Sequence, residues 1–137
     1  MQLPETPAFL RDLDLMKRLV AYQNGDATWY ENERELGPKE RAACQHLNAN
    51  LTNFVEKCLH PLMDRVTARE MQGFTMHDRY HGLKVAHLMW HVLLPARRAT
   101  LSPGEIGLLV TAAHLHDLGM GLSESERIER LSPSSSL

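Results

Sequence analysis

The stretch "AAHLHDLGM" ends an apolar run with His116 and Asp117 side by side, and His81 precedes them on an earlier segment. Two imidazoles and a carboxylate suit Mn, Fe, Zn or Ni better than Ca. Eight histidines are many for this length, and most lie between His60 and His116. A buried carboxylate is costly unless it meets a cation, a metal or several hydrogen-bond donors. A divalent ion shared by His81, His116 and Asp117 would satisfy all three. Hydrogen-bonded core histidines, with loop donors on Asp117, would satisfy them as well.

Helical spacing decides which side chains can meet. With residues advancing by about 100°, Val85, Leu88 and Val92 fall within about 40° of His81, so His81 is expected to head an apolar stripe. His87 and His91 are four apart but turn away from His81 by more than about 80°, toward a more exposed side. On the next helix Glu105, Leu109, Ala112 and Ala113 lie within about 60° of His116, which is expected to follow the buried face. Asp117 falls about 100° further round, and His114 points nearly opposite.

The elements carrying these residues read as helices throughout. "TPAFLRDLDLMKRLVAY" spaces Phe9, Leu10, Leu13, Met16, Leu19 and Val20 as one apolar face requires. "QNGDATWYENERELGPK" breaks that rhythm as a connector. A second helix opens at Pro38, with Glu40 near its positive end. It carries Leu47, Leu51, Phe54, Val55, Cys58 and Leu62 as a stripe, and Pro61 is expected to end or kink it. A third runs from about Asp78 to Leu94 and stops at Pro95. A fourth begins at "LSPGE", with Ser102 as cap, Pro103 in the first position and Glu105 completing a capping box. It runs to about Asp117, with Gly119 at its end. Ser123 to Glu126 signals a short further helix. The expected fold is all-α, an irregular bundle of about five helices.

The totals narrow the classes of function. At 137 residues and 43% hydrophobic, the chain suits one domain with a core of its own. A net charge of −2 argues against general nucleic-acid binding. Cys44 and Cys58 form no CxxC pair and fit free thiols in a reducing compartment. No apolar run approaches the roughly 20 residues of a membrane span, and the N-terminus lacks a secretory pattern. A cytoplasmic protein is expected. Trp29 and Trp90 read as core or partner anchors.

"HGLKVA" from His81, followed by "LLVTAAHLHDLGM", resembles the HD superfamily of metal-dependent phosphohydrolases. "FTMHDRYH" and "HDLGM" are most similar to its HD-CE type. The resemblance covers about residues 50–122. It implies an HD-domain-like core, with a helical preface at 1–45, a partial HD-type domain at 46–131 and a polar tail at 132–137. It implies a divalent ion on His81, His116 and Asp117, and cleavage of a phosphoester, nucleotides included, by metal-activated water. In that type a histidine four positions before the first ligand is frequent. This makes His77 a candidate ligand or proton donor, and Asp117 a candidate catalytic group as well as a ligand. A surface histidine is the other reading of His77. Arg79 and Lys84 flank His81 and could meet substrate phosphate, although solvation is the commoner role of such residues.

Two departures stand against the pattern. Many HD enzymes carry lysine three positions after the aspartate, where this chain has Met120. The usual last ligand is a downstream aspartate, and none follows Asp117; Glu124, Glu126 and Glu129 read as a solvated helix start. The alternative is therefore a catalytically inactive or truncated HD-like module that binds a protein partner, with a homodimer or an ATPase domain as expected partners. If active, the partner is a small phosphorylated substrate.

Overall fold

A computed structural model describes residues 2–27, 36–70 and 79–116, and the side chains within them apart from those of 66–70. The expected helix after Ser123, the Gly119 stop and most of the connector around Trp29 lie outside these residues. Among the described residues there are six α-helices and no strand. They are α1 (Asp14–Asn24), α2 (Pro38–Asn53), α3 (His60–Glu70), α4 (Arg79–Val92), α5 (Pro95–Thr100) and α6 (Pro103–Leu115). The all-α expectation holds, and α5 is the helix it missed. Pro95 does stop α4, but its fixed φ also suits it to start the next helix.

Helix α1 is the centre of the core. A 3₁₀ turn at Leu10–Asp12 precedes it, and Gly25 closes it in the left-handed conformation at φ 75°. That φ is open to glycine at little cost, which is why the helix stops there. Leu10, Leu13, Met16 and Leu19 are buried as expected, with Leu15 and Tyr22 beside them, whereas Phe9 and Val20 are exposed. The Tyr22 hydroxyl donates to the Leu101 carbonyl at 2.7 Å, so the ring enters the core with its polar end satisfied. Arg18 lies over that ring at 4.8 Å and donates to the Ala99 carbonyl. These bonds tie α1 to the end of α5 and the residue that follows it.

Pro61 does not end its helix. A π turn at Phe54–Leu59 joins α2 to α3, and the His60 amide donates five residues back to Val55. The wider turn absorbs the backbone bond that proline cannot make. It also shifts the buried face. Leu51, Val55, Leu59 and Met63 are buried, while Phe54 and Cys58 of the expected stripe are exposed. Both cysteines are free thiols, and burial, with the Glu40 carboxylate, pushes the Cys44 thiol up from its ordinary pKa.

Helix α6 packs against α4, α1 and α2. Its start is as expected: the Ser102 hydroxyl accepts from the Glu105 amide at 3.1 Å, and Pro103 holds the first position. Gly107 lets Leu47 of α2 come within 3.3 Å of where a Cβ would stand. No helix among the described residues is long and apolar enough to cross a membrane.

Candidate metal centre

The buried faces of α4 and α6 are not the ones expected. On α6, Ile106, Gly107, Val110, Ala113 and His114 are buried, while Ala112 and His116 are exposed. His114 therefore takes the core position assigned to His116. On α4 the buried residues are Gly82, Leu83, Ala86 and His87; His81 is only part-buried, and Val92 is exposed. His87 and His91, expected at the surface, turn inward instead, with His87 at 4% exposure. The reason is local. Gly82 and Ala86 are the small residues of α4, and the neighbouring helices close on that side.

His81 and His116 nevertheless meet. Their Nε2 atoms are 3.4 Å apart, and their ring centroids 5.3 Å. Two nitrogens each about 2.0–2.1 Å from a tetrahedral ion stand about 3.3–3.4 Å apart, so this gap fits two ligands of one metal. The tautomer of His116 fits too. Its Nδ1 lies 2.8 Å from the Ala113 carbonyl, which can only accept, so the proton sits on Nδ1 and the Nε2 lone pair faces His81. Without an ion, His81 Nε2 can donate to that lone pair across the same gap. Asp117 and His77 lie outside the described residues.

The approach of α4 to α6 depends on Gly82, the neighbour of His81. A Cβ there would stand 2.5 Å from His114 Cδ2, so any larger residue must displace that ring or part the helices. The His114 Nδ1–H donates to the Val110 carbonyl at 2.8 Å, while its Nε2 is buried without a hydrogen bond. His60 of α3 stacks on His114 at 5.1 Å, tilted by 43°. Burial, with the neighbouring His114 ring and the Arg79 charge, holds His60 down to about 4, and burial also lowers His114. Both rings are neutral at neutral pH and serve as a polar but uncharged floor behind the His81–His116 pair.

Arg79 is not a spare phosphate binder. Its guanidinium bonds Asp64 of α3, with Nε–Oδ2 at 2.8 Å and Nη2–Oδ2 at 2.6 Å, and its amide donates to Asp64 Oδ1. Asp64 thus caps the first residue of α4 from a neighbouring helix, two positions before His81. Lys84 is exposed. A cavity of about 410 Å³, lined in part by Arg11, Glu56, His60, Arg79 and Tyr80, opens beside this end of α4. Trp90 is part-buried under the Arg98 guanidinium, which lies 5.2 Å from the ring and donates to the Trp90 carbonyl.

His60, His114 and Asp64 carry weight that sequence reasoning did not assign. A signal for His114 was present: it lies four residues after Val110 and eight after Ile106, both apolar. Residues 71–136 match the model of the HD-CE family. No curated protein and no solved structure matches the chain.

Proposed function

We propose that the chain, whose residues 71–136 match the HD-CE family model, is a metal-dependent phosphohydrolase acting on a small phosphoester. The observation that carries this reading is the 3.4 Å approach of His81 Nε2 to His116 Nε2. Asp117, next in sequence to His116, is the third ligand. His81, His116 and Asp117 would hold a divalent ion, which would supply an activated water and charge stabilisation at a phosphoryl oxygen. The protein's own part is to present two imidazole lone pairs at one point. The Ala113 carbonyl fixes the His116 tautomer, and the neutral His60–His114 pair behind the site adds no repelling charge. His77 is the candidate proton donor to the leaving oxygen. The cavity beside Arg79 and Tyr80 is the candidate seat for the rest of the substrate. Imidazole and carboxylate favour Mn, Fe, Zn or Ni as the ion.

Elemental analysis after metal-replete growth, combined with a panel of phosphoesters, tests the reading. Phosphoesterase activity is expected in the wild type. His116→Ala and Asp117→Ala should each remove the ion bound at this site and reduce hydrolysis to the level of buffer. A wild-type protein whose metal content is unchanged by both substitutions would refute it.

A second reading, a helical module that binds a protein partner, is favoured by one surface feature. Phe54 and Leu108, 43% and 71% exposed, line an apolar groove between α2, the π turn and α6. Full metal occupancy without hydrolysis of any phosphoester would favour this reading over the enzyme.

A further inference from the structure

Asp14, His87 and His91 form a second donor group, made of different residues from the His81–His116 pair. Asp14 opens α1, and His87 and His91 stand one turn apart on α4. One donor atom from each lies within 4.8 Å of the other two. His91 Nε2 is 3.6 Å from Asp14 Oδ2, and the two imidazoles meet edge to face with centroids 4.4 Å apart.

The His87 lone pair can be placed. His87 Nε2 is 2.9 Å from the Pro4 carbonyl, which only accepts, so Nε2 carries the proton. Nδ1 is then the atom His87 has to offer, and it is buried without a hydrogen-bond partner in a residue only 4% exposed. His91 Nε2 is likewise buried without one. Buried polar atoms left unsatisfied are costly, and here two ring nitrogens without a hydrogen bond accompany a carboxylate. A hydrogen bond from the far ring nitrogen to a backbone carbonyl is the outer-shell support that metal-binding histidines commonly have.

We propose that Asp14, His87 and His91 bind a divalent transition-metal ion of the zinc class, clamping α1 and the Pro4 segment onto α4. Two imidazoles and one carboxylate select such an ion over calcium or magnesium. Three protein ligands leave a fourth tetrahedral position for water. Two of the ligands lie on α4, the helix that carries His81, and the third lies on α1. The clamp therefore reaches from the N-terminal helix into the region matched by the family model. It does not depend on the chemistry proposed for His81 and His116.

The test removes the first pair and counts what remains. The full chain carrying His81→Ala and His116→Ala is dialysed against zinc and analysed for metal. About one zinc per chain is expected, with a melting temperature that rises with zinc and falls back on chelation. Adding Asp14→Asn and His91→Gln should abolish both the bound zinc and the zinc-dependent shift. A second measurement covers variants that fold poorly: Co²⁺ added to the doubly substituted chain should give the visible absorption of a tetrahedral nitrogen–oxygen site. No zinc bound in that chain, no cobalt absorption, or zinc retained after Asp14→Asn and His91→Gln would each overturn the proposal.

Discussion

Helix α6 ends with two histidines, two residues apart, that share a tautomer and differ in their surroundings. His114 and His116 both donate from Nδ1 to a carbonyl of their own helix at 2.8 Å. Each then meets a second imidazole, His60 for the one and His81 for the other. The His60–His114 pair is buried and held neutral, with lowered pKa values. In the other pair His116 is exposed and His81 part-buried. An imidazole pair therefore becomes a candidate site through its surroundings: the inner pair sets the spacing of the helices, and the outer pair uses it.

The largest expected effect comes from breaking that division at Gly82. Gly82→Leu drives a side chain into the His114 ring, since even a Cβ would lie 2.5 Å from it. Overpacking of this kind costs about 1–3 kcal/mol, occasionally more. It should also part α4 from α6 and separate His81 from His116. Metal affinity at the outer pair should fall about 10–100-fold, the loss expected when support behind a ligand is removed. Calorimetric unfolding and metal titration of the same variant check both halves. Loss of stability with unchanged affinity would show that the inner pair does not set the spacing of the outer one.

A middle-sized effect separates the two pairs by pH. His60 is held down to about 4, mainly by burial, from an ordinary value near 6.5. Between those values the unfolded chain binds a proton that the folded one refuses. Stability should therefore fall as pH drops from about 6.5 toward 4, then level off below. Two and a half units correspond to about 3 kcal/mol, and about 2 kcal/mol is expected after solvent screening. Urea unfolding at stepped pH measures the slope, and His60→Gln should flatten it. A slope unchanged in His60→Gln would place the titrating group elsewhere.

The helices themselves were legible in the sequence, because caps and prolines act locally. Ser102 and Pro103 start α6, and Pro38 starts α2, as their chemistry requires. Which face each helix buries was less legible. Periodicity read from His81 and His116 chose the wrong side of both α4 and α6. The choice depended on Gly82 and Ala86 admitting close neighbours, and small residues contribute little to an apolar pattern. The π turn before Pro61 has the same character: one wide turn shifts the buried stripe, and propensity does not announce it. The pairing of His81 with His116 was legible from resemblance and spacing together. The Asp14–His87–His91 group was not, since its third member lies on a helix far away in sequence.

The smallest expected effect sharpens what holds the start of α4. Asp64 pairs with the Arg79 guanidinium and also accepts from the Arg79 amide. Both side chains are 40% exposed, so the charge pair alone contributes little, about 0.5–1 kcal/mol. Asp64→Asn keeps an oxygen for the amide and removes the charge, and should cost no more than that. Asp64→Ala also loses the cap and should cost about 1 kcal/mol more. His81 is two residues beyond this cap, so fraying there should loosen the outer pair and leave the inner one in place. The expected signature is a several-fold weaker metal affinity in Asp64→Ala, with Asp64→Asn close to wild type and the His60 pH slope intact in both. Equal affinities in the two variants would mean that α4 keeps its first turn without help from α3, and that Gly82 alone positions His81.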